Sequence, residues 1–304
     1  MNDKRVILTG ATGFVGTNLS KHLELHGCSV QPLSMRHSQW KEELNLSADA
    51  IIHLAGKAHD TKNASDASEY FRVNTELTKE LFHLFLKSEV NDFFYFSSVK
   101  AVADVVDGIL TEDVEGNPIT PYGQSKLKAE EYILSKPLPE EKRVFIIRPC
   151  MIHGPGNKGN LNLLYNVVKK GVPWPLAAYD NRRSFLCIDN LNYLIVQMLN
   201  NLTIESGVYN FADDEALSTN QLIQLICNVV GAKPHLWKLP KPLVNGVARI
   251  GDILHLPLNR ERLHKLTESY VVSNAKVKRV LGVERLPITS EKGLEETIRS
   301  FGEE

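Results

Sequence analysis

The 304 residues carry 35 Lys and Arg against 36 Asp and Glu, a net charge of −1, with 43% hydrophobic and 23% charged residues. That balance is ordinary for a globular chain and gives no electrostatic reason to expect nucleic acid, and the length suffices for one large α/β domain or two unequal lobes sharing a site. No apolar run reaches the roughly 20 residues that span a bilayer, no signal-peptide core opens the chain, and Cys28, Cys150, Cys187 and Cys227 lack zinc-site or redox-dithiol spacing, so a soluble protein of the reducing cytoplasm is expected.

Short apolar runs at 6–8, 50–54, 93–96 and 144–147 alternate with helix-length segments. Near-continuous apolar strands with intervening helices predict a parallel sheet covered on both faces, because a one-sided sheet would alternate polar and apolar residues. Apolar residues at three- and four-residue spacing predict helices over 14–25 and 70–86. After Pro149 the texture becomes turn-rich at 153–157 and 171–175, flanking a helical pattern at 161–168. A first domain over 1–153 and a second lobe over 154–304 follow, with a strand near 208–211 returning to the first sheet. Ser218 and Gln221 read as a capping box, 240–256 as an amphipathic or buried stretch, and Ser290 as the N-cap of a terminal helix reaching Phe301.

The segment Gly10-Ala-Thr12-Gly13-Phe14-Val15-Gly16 follows the first apolar run and opens the first helix. In that context glycines permit a tight turn, close approach of a pyrophosphate, and close packing of helix on strand, with the helix N-terminus facing the phosphates. A dinucleotide cofactor is expected. The acid that would hold the adenosine ribose about 20 residues on is missing. Ser34 and Arg36 stand there instead and suit a 2′-phosphate, which favours NADP, with NAD held through backbone as the alternative.

Tyr122 and Lys126 begin another helical pattern and lie one turn apart on the same face. An ammonium beside a phenol favours the phenolate, so the pair predicts a tyrosine with a lowered pKa acting as general acid and base.

With the Gly10 loop and the Tyr122 segment, the stretches 49–56, Val73-Asn74, Phe96-Ser-Ser98, Arg148-Pro149, His153-Gly-Pro155, Arg183-Ser-Phe185 and 273–282 resemble the extended short-chain dehydrogenase/reductase family, in its nucleotide-sugar epimerase/dehydratase branch, over nearly the whole chain. The resemblance implies a Rossmann-type, doubly wound α/β fold with a smaller mixed α/β substrate lobe, and a homodimer. It also implies that Ser98, with Ser97 as fallback, bonds the reacting sugar oxygen, that Tyr122 is the acid/base, and that Lys126 orients the nicotinamide ribose. Leu54, Ala55, Gly56, Asn74 and Pro149 would line the cofactor cleft. Asn160 and Leu161 would open a nucleotide-binding helix, Pro175 and Leu176 would meet the base, Arg183 the diphosphate and Tyr270 the sugar, with Arg182 facing solvent.

The chain departs from the family pattern in two places. Residues 36–49 are too short for the strand usually found there. Val99-Lys100-Ala101 stands where 4,6-dehydratases carry an Asp-Glu pair, which argues against a dehydratase because water elimination needs that second acid and base. The expected activity is a 4-epimerase acting on a nucleotide-sugar, a UDP-hexose. The alternatives are an NADPH-dependent 4-keto-sugar reductase, a hydrophobic-alcohol dehydrogenase and a non-catalytic nicotinamide-binding regulator. His53, His59 and His153 lack metal-cluster spacing and read as structural, and the charge run 260–265 reads as a solvated helix face.

Overall fold

The computed structural model describes residues 4–57, 66–157, 159–254 and 259–302, so His59 and the side chain of Asn160 lie outside the described residues. The first half runs β1 (Arg5–Thr9), α1 (Phe14–Leu25), β2 (Ser29–Leu33), β3 (Ala50–His53), then α2 (Ala67–Tyr70), which continues through a π-helical turn at Phe71–Glu76 into α3 (Leu77–Lys87). It goes on with β4 (Asp92–Phe96), β5 (Ile109–Leu110), α4 (Pro121–Leu134) and β6 (Arg143–Pro149). The second half holds β7 (Met151–His153), α5 (Asn160–Lys169), β8 (Phe185–Cys187), α6 (Ile188–Asn200), β9 (Gly207–Phe211), α7 (Thr219–Val230), α8 (Lys241–Leu254), α9 (Arg260–Thr267), β10 (Val271–Val272), α10 (Ala275–Leu281) and α11 (Ser290–Ser300).

Six strands form one parallel sheet in the order β2-β1-β3-β4-β6-β9. Side chains alternate between its faces. Val6, Leu8, Ile52, Phe94 and Phe145 pack with Leu19 and Leu23 of α1 and Leu191 and Ile195 of α6. Ile7, Ile51, Phe93, Tyr95 and Ile146 pack with Phe82 and Phe85 of α3 and Ala129 and Ile133 of α4. This is a doubly wound sheet with both faces covered, which is why its strands carry no polar alternation. β2 forms one edge, and Pro32 within it opposes Leu8; a proline has no N–H for a further neighbour, so it suits an edge. From that edge the chain passes through a short 3-10 turn at Ser38–Lys41 to β3.

A smaller body gathers α5, α7, α11 and β8 around Leu161, Tyr165, Phe185, Ile223, Ile226, Leu294 and Ile298. Beside it, α8 and α9 close over Leu176, Val244, Ala248 and Leu263. β9 threads back into the large sheet beside β6. The Ser218/Gln221 capping box is formed. The terminal helix is capped by Thr289, whose side chain accepts from the Lys292 N–H, and not by Ser290; two adjacent residues of equal capping chemistry cannot be ranked without the backbone turn.

Two glycines predict opposite outcomes. A Cβ at Gly16 would stand 2.7 Å from Ala11 Cα and press on the Gly10 carbonyl, so Gly16→Ala should cost about 1–3 kcal/mol in urea unfolding. Gly246, inside α8 with nothing within 4 Å of an added Cβ, should gain up to about 1 kcal/mol as Gly246→Ala.

Candidate active site

Gly10 turns the chain out of β1 with φ +69°, a left-handed conformation that favours glycine, and a Cβ there would sit 2.8 Å from the Ala55 nitrogen. The loop thus lies against the end of β3, and α1 starts at Gly13 without a side-chain cap. Its first amides face a cavity of about 660 Å³. Gly10, Thr12, Gly13, Ser34, Arg36, Leu54, Ala55 and Gly56 line this cavity, together with Glu69, Arg72 and Val73 from the turn before α3. An uncapped helix start over an open, glycine-lined cleft fits a dinucleotide diphosphate. Of the other loop residues, Gly16 is buried, and Phe14 and Val15 pack against the sheet's α1-side core. Asn74 stands behind the wall, fully buried. Its Oδ1 accepts from the Lys57 N–H at 2.7 Å, and its Nδ2 donates to the Lys57 carbonyl and Ser125 Oγ, fixing the turn after Gly56. Pro149 is buried in β6 beside Phe211.

Thr120 caps α4 and Pro121 fills its first position, which sets Tyr122 and Lys126 one turn apart. The Lys126 ammonium is buried and donates to the Phe96 carbonyl at 2.8 Å, above the Tyr95 ring. Ser98, at the end of β4, is hydrogen-bonded to the Tyr122 phenol. Its neighbour Ser97 instead donates to the buried carboxylate of Glu130, which also holds Arg148. The two serines therefore face different partners, and Ser98 is the one at the tyrosine. Gly123 is a site residue that sequence reasoning missed: a Cβ there would stand 2.7 Å from Pro118 Cβ and press on the Lys100 carbonyl, so α4 can approach the Ser98 turn only with glycine after Tyr122.

The lowered Tyr122 pKa is not what this structure gives. Burial pushes the phenol above its usual value, the Ser98 hydrogen bond opposes that, and the edge contact with Tyr70 adds to it. Burial also brings Lys126 down to about 8, against the pull of Glu130. Spacing gives the proximity of two groups and says nothing of their desolvation.

A second cavity, of about 550 Å³, opens between α5, α7 and α9. Leu161, Leu164, Val167, Trp174, Phe185, Leu222 and Leu266 make most of its wall, with Arg183, Arg262 and Lys265 as its cations. Of the charge run 260–265, which could meet a diphosphate or be a solvated face, Arg262 and Lys265 line this cleft with Leu266 from one face of α9. Arg183 is paired with Glu268 at 3.6 Å, and Arg182 is exposed. Lys100, two residues after Ser98, feels the charges of Arg183, Lys265 and Glu268 of this region. Three expected contacts fall elsewhere. Leu176 is buried against Val244, Ala248 and Leu263, and Trp174, not Pro175, lines the wall. Tyr270 is buried with its hydroxyl 2.8 Å from the Ala103 carbonyl and 3.1 Å from that of Val99, which commits its proton to the backbone. No group of three or more metal-ligating side chains occurs among the described residues.

A model of the NAD dependent epimerase/dehydratase family matches residues 6–212. The UDP-glucose 4-epimerase of Vibrio cholerae is 31% identical over 326 residues, covering 98% of this chain and 95% of that protein. The N-acetyl-alpha-D-glucosaminyl-diphospho-ditrans,octacis-undecaprenol 4-epimerase of Escherichia coli O157:H7 is 28% identical over 328 residues, with 98% and 95% covered. Among solved structures, RMD from Pseudomonas aeruginosa complexed with NADPH superposes with a TM-score of 0.72 at 22% identity, covering 98% of this chain and 97% of that one.

One buried group at this site sets a pH dependence. His53, between Thr9 and Thr78, is brought down to about 3, first by burial and then by the Lys126 charge. Unfolded, it titrates near the ordinary histidine value of 6.5. Its stabilisation is complete above 6.5 and lost as pH falls toward 3, because the unfolded chain then binds the extra proton. Urea unfolding of wild type and His53→Asn should therefore diverge below pH 6.5 by about tenfold in folding constant per pH unit, the wild type falling faster.

Proposed function

The chain belongs to the NAD-dependent epimerase/dehydratase family, and from that premise we propose that it is a nucleotide-sugar 4-epimerase acting at C4 of a UDP-hexose. The observation that carries this reading is Ser98 hydrogen-bonded to Tyr122 with Lys126 one turn along the same helix, in a chain that also has a glycine-lined cleft and a cleft with three cations. The two relatives at 31% and 28% identity are named for 4-epimerisation of a hexose carried on a diphosphate, through uridine in one and a polyprenol in the other.

A bound nicotinamide dinucleotide supplies the hydride acceptor at C4. The start of α1 after Gly13 and the Gly10 turn would hold its diphosphate, with Leu54, Ala55 and Gly56 as the wall beside it. Ser98 positions the C4 oxygen and Tyr122 exchanges its proton. Burial keeps the phenol protonated, the form that gives a proton to a C4 carbonyl. In the other direction Tyr122 must take a proton, and the Ser98 hydrogen bond favours the phenolate that step requires. Lys126, one turn along α4, would orient the nicotinamide ribose. Arg183, Arg262 and Lys265 receive the sugar's diphosphate, where guanidinium pairs bidentately with phosphate oxygens. Epimerisation would need room in the site for the 4-keto sugar to present either face to the cofactor.

A second reading, an NADPH-dependent 4-keto-sugar reductase, is favoured by one feature. Ser34, Arg36 and Arg72 line the glycine-loop cleft, with no acid at the end of β2 to hold a ribose diol.

Purified protein should interconvert UDP-Glc with UDP-Gal, or UDP-GlcNAc with UDP-GalNAc, without net change in reduced-cofactor absorbance; stoichiometric NADPH consumption with a 4-keto sugar would establish the reductase instead. Tyr122→Phe should lower kcat by about 10²-fold or more with dinucleotide affinity nearly unchanged. Ser98→Ala should also slow turnover, whereas Ser97→Ala, which breaks only the Glu130 contact, should lower melting temperature more than kcat. Full turnover in Tyr122→Phe would overturn the role of Tyr122 as acid and base.

A further inference from the structure

The amphipathic α8 contributes nothing to either cleft directly, yet it leaves a large apolar surface uncovered. Val244, Ala248 and Gly251 face inward and are buried. Leu243, Val247, Ile250 and Leu254, spaced i, i+4, i+7 and i+11, form a second stripe, and with Ile253 they are 46–76% exposed. Lys241, Asn245, Arg249 and Asp252 fall on the remaining arc. A helix with an apolar stripe left to solvent, polar residues opposite and basic flanks has the build of one that lies in a membrane interface. At 14 residues it can lie on a bilayer and not cross one.

Charge selects the surface. Residues 231–267 hold seven Lys and Arg against two Asp and Glu, a net +5 in a chain whose total is −1. The positive charge is concentrated around α8 and α9, where it complements anionic lipid headgroups. The same α9 supplies Arg262, Lys265 and Leu266 to the second cleft, whose wall is otherwise mainly aliphatic and aromatic.

We propose that α8 docks on an anionic lipid surface. The docking stands on α8 and the charge around it, and does not depend on the UDP-hexose reading above. Outward-facing leucine, valine and isoleucine meet the acyl boundary, and Lys241 and Arg249 meet headgroups.

The test uses the full chain, co-sedimented with vesicles of phosphatidylglycerol and phosphatidylcholine or of phosphatidylcholine alone. The expected result is binding to the anionic vesicles, weakened by salt. Partitioning should fall about tenfold or more in Val247→Glu with Ile250→Glu, and measurably in the milder Leu254→Gln. Melting temperature and turnover of a water-soluble UDP-hexose should be unchanged in these variants. Failure of the wild type to bind anionic vesicles would overturn the docking. So would a loss of self-association in the double variant by sedimentation velocity, since the stripe would then be covered by a second copy. Vesicle binding without any sugar epimerisation would uphold the docking and sink the epimerase reading, so the two fail separately.

Discussion

Lys126 carries an ammonium that is 95% removed from solvent, and the cost of desolvating a cation governs what surrounds it. The Phe96 carbonyl accepts from it at 2.8 Å, the Tyr95 ring lies under it, and Glu130 sits one turn further along α4. Gly56 must remain small because an added Cβ would stand 3.2 Å from Nζ. Glu130 is itself held by Arg148 and Ser97, so the ends of β4 and β6 and the middle of α4 are joined in one buried polar network. A half-satisfied network of this kind costs more than an apolar core, which explains the density of partners. That network places Ser98 and Tyr122 without using either hydroxyl.

The two clefts ask for different surfaces. The glycine-loop cleft is made by main chain: a left-handed Gly10, an uncapped α1 and the turn after β3 held by Asn74. The other cleft is made by side chains of α5, α7 and α9, apolar except for its cations. Backbone geometry is shared by every sequence that folds this way, whereas side-chain walls change with each substitution. The choice among substrates therefore resides in the smaller body, including α8 and the charge around it.

The parallel sheet was legible because strands buried on both faces have no polar alternation and the helices keep a clear apolar stripe. The glycine loop was legible because its residues sit between such a strand and such a helix. Burial was not legible. From spacing alone Tyr122 reads as a tyrosine activated by its lysine, whereas desolvation raises the phenol and lowers the ammonium together. Contacts made across long sequence separations were equally hidden. Tyr270 spends its proton on carbonyls some 170 residues earlier, and Leu176 disappears beneath α8. Gly123 did leave a signal, a glycine inside a helical pattern where it is costly, which only a close approach justifies.

The central claim is that a hydride leaves and returns at C4 of one diphosphate-linked hexose within a single site. Incubating the protein and its cofactor with a UDP-hexose deuterated at C4 tests this most directly. The 4-epimer should form with the deuterium retained at C4. Formation of the epimer with deuterium lost to solvent, or recovery of the labelled sugar unchanged under every cofactor, would contradict it.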